Sequence, residues 1–290
     1  MLLASELVPS ELYQPSLQRI QAFFLLAIAE FGHGERTRSA MHMGCSVRMA
    51  GILRLHREES FRLEPDASSD EVVAAEVARR TFWMIVSQDS LHSGDLAPSA
   101  FSLPDISTLL PCEETDFAFG HPPRHRAALA RTAAARTEPA LVHTPSRSLF
   151  ATLIQAHDFW GRVTRCACSE ERDLQGSSAG PWERGSAYAE MVAELSAWER
   201  ALPQRHQWST NNLRGYKAEG LDLAYLSVTM VNRMSNIVIR RIYLPRIAGA
   251  VDRLRWQNDQ HDQRDAPPAF WNDMANELFS VSQTPALPPK

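Results

Sequence analysis

Apolar residues in this chain recur at helical spacing almost from end to end, and no other feature limits the fold as tightly. Leu17, Ile20, Phe23, Phe24, Ala27, Ile28 and Phe31 follow one another at steps of three and one, which lines one face of a helix. Ser16 is placed as its N-cap and Gly32 as its stop. A second helix is expected from about Glu35 to about Leu53, with Ala40, Met43, Val47 and Ala50 inside. Ser69 or Asp70 is expected to cap a third, with Glu71 favourable in its first turn. It carries Val73, Val77, Phe82, Met84, Ile85 and Val86 and is expected to end near Gly94. A fourth begins with Phe150, Leu153, Ile154 and His157 and continues to about Cys168. Tyr188, Met191, Val192, Leu195, Trp198 and Leu202 form another stripe, which Pro203 terminates. A long helix over about Glu219 to Tyr243 is apolar round most of its circumference, which predicts burial on several sides. No strand pattern of useful length and no internal repeat is present. The expectation is an all-α, multi-helical single domain of about seven to nine helices.

The punctuation between helices sets the expected organisation. Residues 1–14 form an N-terminal segment, 15–120 a first helical part, 121–148 a connector, 149–247 a second helical part and 248–290 a polar, mobile tail. The connector holds Arg124, Arg126, Arg131, Arg136 and Arg147 against one acid, Glu138. It reads as a mobile stretch with a short helix in its alanine-rich middle. Gly44 and Gly51 lie two turns apart in the second helix. Glycine there costs about 1 kcal/mol against alanine, so close approach by a neighbouring helix is expected as compensation.

Charge and cysteine content exclude several classes. The chain has 30 basic and 34 acidic residues, a formal charge of -4. That balance argues against a free-standing nucleic-acid-binding domain, which carries a basic excess. Its cysteines are Cys45, Cys112, Cys166 and Cys168, too few for a disulfide scaffold and suited to a reducing compartment. The longest unbroken apolar run, Ala22 to Ala29, is far short of the ~20 residues that span a bilayer. Glu6 and Glu11 lie where a signal peptide would be basic or apolar, which predicts a cytosolic or nuclear protein with no membrane partner.

Motifs of chemistry are few. Gly32-His33-Gly34 follows a helix rather than a strand, and Thr37 occupies the third glycine position of a dinucleotide fingerprint, so it reads as a turn. Cys166 and Cys168 lie two apart, which on a helix projects them about 200° apart, a poor chelate. Asp259, Asp262 and Asp265, with His261 between them, have spacing that can hold Mg²⁺. No second acidic motif accompanies them and Arg264 interrupts the run, so a solvated linker is the better reading. The arginines of the connector read as a solvated charge run. His56, Arg57, Glu58 and Glu59 offer acid–base groups just after a helix, without a nucleophile or second base.

One ordered series of motifs remains. Leu17 to Glu30 and Gly34 are followed by Met43-Gly44-Cys45-Ser46-Val47-Arg48-Met49-Ala50 and then Leu53-Arg54-Leu55-His56-Arg57-Glu58. Next come Glu76, Arg79, Arg80, Thr81, Phe82, Trp83, Asp89, Ser93 and Gly94, then Pro104-Asp105-Ile106 and Leu110-Pro111-Cys112. Farther on stand Leu195, Trp198 and Leu202-Pro203, and finally Arg240, Arg241, Tyr243 and Leu244-Pro245. The series resembles the fungus-specific transcription factor domain, the middle homology region of binuclear zinc cluster regulators. That family writes G-x-A-x-R-x-A, L-H-R-E, E-x-x-R-R-R-x-F-W and L-x-x-W-x-x-x-L-P in this order. Ser46 stands for its alanine, Arg54 for its glycine and Thr81 for its third arginine.

The resemblance implies an α-helical regulatory domain in the nucleus, without catalysis, that controls a zinc-cluster activator. It implies response to a small-molecule effector and pairing with related regulators as homo- or heterodimers. It marks Gly44, Arg48, His56, Arg57, Arg79, Arg80, Phe82, Trp83 and Asp89 as structural or regulatory residues. Arg79 and Arg80 are read as tying helices together by ion pairs rather than touching a ligand. DNA contact is expected only through an N-terminal module of six clustered cysteines, which these scattered four cannot form. Zinc is expected only in that module, with no cofactor in this chain, and the chain is expected to be truncated at its N-terminus. Two other readings stay open: a truncated interaction protein that pairs with full-length regulators, and a helical Mg²⁺-dependent enzyme of secondary metabolism using Asp259 to Asp265.

Overall fold

A computed structural model describes residues 11–92, 100–173, 180–255 and 268–282. Among them are eleven α-helices and no strand, as the apolar period predicts. The helix count exceeds seven to nine because Glu114–Phe119, Thr210–Ala218, Leu244–Arg255 and Pro268–Ser282 are helical as well. The chain divides into two compact units. The first comprises Met1–Ser90 with Ser99–Gln155, and the second Leu91–Pro98 with Ala156–Lys290.

In the first unit, α1 (Leu17–Gly32) starts at Ser16, whose side chain accepts the Arg19 N–H, and ends in a turn closed by Gly34 at φ +84°. α2 (Arg36–Ile52) runs back along it. Ser39 Oγ donates to the Ala27 carbonyl at 2.7 Å and Ser46 Oγ to the Ile20 carbonyl at 3.2 Å. The later serine meets the earlier acceptor, so the two helices are antiparallel. The small side chains that permit this approach are therefore Ser39, Ser46 and Ala50, all buried, not the two glycines. A side chain at Gly44 would meet nothing within 4 Å, and one at Gly51 would only touch Phe101 at 3.9 Å. α2 terminates through Arg54, which takes a left-handed conformation at φ 55°. This is the position where the family pattern carries glycine, and the backbone geometry explains why.

α3 (Ser69–His92) is capped by Ser68 rather than Ser69 or Asp70. The Ser68 hydroxyl accepts the Glu71 N–H at 3.3 Å, and the Glu71 carboxylate accepts the Ser68 N–H at 2.8 Å, a capping box. α4 (Glu114–Phe119) ends at Gly120, at φ +62°. A Cβ there would lie 2.6–2.9 Å from Ser69, so only glycine fits.

Residues 121–148 are not a mobile connector. Ala127, Ala128 and Leu129 are buried. The Leu110 N–H donates to Ala127, the Ala128 N–H to Leu141 and the Ala133 N–H to Ile106. α5 (Ala133–Thr137) is the short helix expected in the alanine-rich middle. The arginine content of the stretch hid an apolar strip, which joins Ile20, Phe23, Met49, Phe82, Trp83, Ile106 and Ile154 in one core.

α6 (Leu149–Asp173) begins in the first unit and continues in the second. The second unit adds α7 (Ala187–Arg200), α8 (Thr210–Ala218), α9 (Asp222–Arg241), α10 (Leu244–Arg255) and α11 (Pro268–Ser282). Serines cap α7 and α8: Ser186 accepts the Ala189 N–H and Ser209 the Asn212 N–H. Within the stretch expected as a polar tail, two segments are helical. α10 reaches Arg255, and α11 buries Trp271 and Met274 beside Val163, Tyr188, Tyr243 and Ile247. Arg240 fastens α11 through Glu277 at 2.6 Å. Asp259, Asp262 and Asp265, with His261, lie outside the described residues. Cys166 and Cys168 sit on α6 without disulfides.

Two backbone substitutions follow from this geometry. Gly44→Ala in the exposed helix interior is expected to stabilise by about 0.5–1 kcal/mol. Arg54→Gly relieves the left-handed strain and is expected to add up to about 1 kcal/mol. Denaturant unfolding of each variant checks both. A third expectation concerns pH. Burial pushes His157 on α6 down to about 4 from its usual 6.5, so the unfolded chain binds the proton more tightly. Stability is then full above pH 6.5 and falls as pH drops towards the folded value, by on the order of 3 kcal/mol. Melts across this range should show the slope, and His157→Gln should flatten it.

Candidate functional site

Four residues of the motif series share one face of α3. Glu76, Arg79, Arg80 and Trp83 follow at helical steps of three, one and three, so they project to the same side. Opposite them runs the extended stretch from Ile106 to Glu113.

Arg79 is buried and grips Glu58 with both Nη atoms, at 2.6 and 2.7 Å. Its Nη1 also donates to the Leu109 carbonyl at 2.9 Å, where Trp83 Nε1 donates at 2.8 Å. The Leu109 N–H in turn donates to Glu58 at 2.8 Å. The guanidinium lies 4.3 Å from the centre of the Phe61 ring, a cation–π contact.

Glu76 is the centre of a second cluster. It is 1% exposed and accepts from the Cys112 N–H at 2.9 Å and from Arg80 Nε at 3.1 Å. Arg126 Nη2 pairs with it at 2.7 Å. Arg80 reaches on to both oxygens of Glu114, at 2.8 and 2.9 Å, and to the Cys112 carbonyl at 3.1 Å. Its guanidinium covers the Phe117 ring at 4.1 Å. Three arginines thus face three carboxylates, Glu58, Glu76 and Glu114.

The electrostatics follow from this balance. Burial alone would raise the Glu76 carboxyl, but the charges of Arg126 and Arg80 and the bonds from Arg126 and the Cys112 N–H hold it below its usual value. Burial likewise opposes the charge on Arg80, and Glu114 and Glu76 overcome it, raising its affinity for the proton. Burial, with the adjacent Glu76 charge, pushes the Cys112 thiol up to about 12, so it stays protonated and weakly nucleophilic.

The other motif residues distribute unevenly. Phe82 packs edge-on to Trp83 and Phe101, both at 5.3 Å. Asp89 accepts the Ala100 N–H at 3.0 Å. The His56 ring stacks on Phe101 at 5.8 Å, and its carbonyl accepts the Ser107 N–H at 2.9 Å. Gly44, Arg48 and Arg57 are exposed and stand outside the cluster. Sequence reading missed Glu114 and Arg126 as members, and it took Glu58 as an acid–base group and as the last residue of a motif, not as the partner of Arg79. Glu76 and Arg80 stand at the i,i+4 spacing of a helical ion pair, and the pair is buried on the Glu76 side. Among the described residues no three His, Cys, Asp or Glu side chains cluster as a metal site, and no helix is long and apolar enough to cross a membrane.

Comparison with known proteins agrees with the motif series. Residues 3–128 match the family model described as the fungal specific transcription factor domain. The Zn(2)-C6 fungal-type transcription factor FTF1c of Fusarium oxysporum f. sp. lycopersici is 26% identical over 92% of this chain and 28% of its own length. An uncharacterized transcriptional regulatory protein of Schizosaccharomyces pombe is 28% identical over 75% of this chain and 33% of its own. The azaphilone cluster-specific transcription factor azaR of Aspergillus niger is 34% identical over 37% of this chain and 24% of its own. The chain therefore spans about a third or less of these relatives. No solved structure matches.

The cluster makes a graded prediction. Glu76→Gln leaves buried arginine charge facing a neutral amide and is expected to cost about 3 kcal/mol. Glu114→Gln, at a carboxylate 36% exposed, should cost no more than about 1 kcal/mol. Because the folded Glu76 carboxyl binds its proton more weakly than the unfolded one, its contribution is present above pH 4.5. It is lost as pH falls below that. Acid unfolding of the parent and of Glu76→Gln should differ most in this lower range.

Proposed function

We propose that this chain, which carries a fungal specific transcription factor domain over residues 3–128, is the regulatory body of a fungal zinc-cluster-type regulator of RNA polymerase II transcription. The observation that carries this reading is where the family motifs fall. Glu58 of the L-H-R-E motif and Glu76, Arg79 and Arg80 of the next motif interlock, together with Glu114 and Arg126, as one charge-balanced unit that positions helices. A reaction centre holds a nucleophile or base poised for substrate, whereas these charges are spent on one another. On this reading the chain is a nuclear regulator and not an enzyme.

DNA recognition and zinc belong, on the same reading, to a six-cysteine module, which the four cysteines of these 290 residues cannot supply. That count favours one further reading: the chain pairs with a related regulator that carries such a module and changes its output.

Fusing the 290-residue chain to an unrelated DNA-binding domain and measuring a reporter in a fungal cell tests the first reading. Reporter output should depart from that of the DNA-binding domain alone, and the change should be lost with Glu76→Gln. An output equal to the control would overturn it. In gel-shift the chain by itself should give no sequence-specific complex. Nanomolar specific binding would refute the division of labour. Co-purification with a zinc-cluster partner would select the pairing reading.

A further inference from the structure

Beside the charge cluster, the first unit contains a cavity of about 520 Å³ that the motif series does not account for. This volume lies within the range of roughly 300–1,000 Å³ typical of small-molecule sites. Its walls come from three stretches: residues 111–116, 121–127 and 146–148. Arg124, Arg126 and Arg147 line it, with His121 and His125. Glu113 and Asp116 line it too, so the arginines outnumber the acids three to two.

The three arginines are not equivalent. Arg126 is committed to Glu76 at 2.7 Å and to the Leu110 carbonyl at 3.3 Å. Arg124 is exposed at the rim, and Arg147 is buried to 1% exposure with its Nη1 donating to the Thr144 carbonyl at 3.3 Å. Burial pulls the Arg147 guanidinium down to about 10 from 12.5. A guanidinium in so poorly solvated a place gains from an anion brought close to it. Arginine also meets carboxylate and phosphate groups with two parallel bonds, which adds geometric selectivity. The cavity wall near Arg147 adjoins the first turn of α6, a 25-residue helix, whose dipole adds positive potential.

We infer that this cavity is a binding site for a small, hydroxylated anion whose phosphate or carboxylate group sits among Arg124, His125 and Arg147. Glu113 and Asp116, which also line the cavity, accept from its hydroxyl groups. Those two acids also discriminate against anions that have no donor to offer. The site has a direct connection to the charge cluster. Arg126 lines the cavity and holds Glu76, and Cys112 lines it and donates to the same carboxylate. An anion drawing on Arg126 competes with Glu76, so occupancy shifts the balance of the cluster. The regulatory meaning of that shift rests on the function proposed above; binding itself does not.

The test uses the full 290-residue chain, thermal melting and titration calorimetry. The probes are citrate, a hydroxylated tricarboxylate, and inorganic phosphate, each against sodium chloride at equal ionic strength. The expected result is a saturable rise in melting temperature with at least one probe, beyond the chloride control. Response to citrate alone assigns a carboxylate ligand, and response to phosphate alone a phosphate ligand. The double variant Arg124→Glu, His125→Glu changes exposed residues only and should keep the parent circular dichroism. Its affinity should fall about tenfold or more, the equivalent of one lost charged hydrogen bond. Arg147→Gln should lower affinity from the buried side. Two results overturn the site: both probes tracking chloride, or the double variant binding as tightly as the parent. A chain that binds anions but leaves the reporter unchanged refutes the regulatory function and not the site.

Discussion

Burying a carboxylate costs several kcal/mol unless positive charge and hydrogen bonds answer it. At Glu76 the answer comes from three separate places in the chain. Arg80 stands one turn along the same helix, the Cys112 N–H arrives on the extended stretch, and Arg126 arrives from the arginine-rich segment. None of the three partners reaches Glu76 unless its own stretch is packed. The carboxylate therefore couples the placement of α3 to the folding of residues 106–128, and the surrounding apolar core of Trp83, Ile106, Leu110 and Leu129 keeps water from substituting for those partners.

Other parts of the protein are joined by different physics. α1 and α2 approach through serine hydroxyls that bond to backbone carbonyls, with buried Glu30 meeting His42 at 2.5 Å. In the second unit the joining groups are aromatic. Tyr188 meets Tyr243 edge-on at 5.3 Å, and Phe270 and Trp271 of α11 surround them. Aromatic edges tolerate small displacements, because their attraction changes gradually with angle. Bidentate ion pairs do not, because a guanidinium fork and a carboxylate must stay coplanar. The motif residues Glu58, Glu76, Arg79 and Arg80 thus sit where geometry is least forgiving.

The helices were legible because their signals are local. Ser16, the apolar steps from Leu17 to Phe31 and the stop at Pro203 act within a turn or two of the residues they control. The motif face of α3 was legible for the same reason. What escaped was settled at long range. Arg126 looks like one more arginine in a solvated run until Glu76, fifty positions earlier, is seen to hold it. Composition also misled: five arginines hid Ala127, Ala128 and Leu129. A polar stretch likewise hid α11, although Phe270, Trp271, Met274 and Leu278 keep helical spacing. Gly44 and Gly51 pointed to a tight helix contact, which serine and alanine supply instead on another face.

Leu109 lies between two anchors: its carbonyl receives Arg79 and Trp83, and its N–H gives to Glu58. Three residues on, Cys112 is gripped at both its N–H and its carbonyl. The distance between these grips is set by the rise of α3, which no neighbouring loop can adjust. Adding or deleting one residue between them would move one grip by about 3.3 Å, more than a hydrogen bond can stretch. The stretch from Leu109 to Cys112 therefore works as a ruler, its length matched to the helix it lies against.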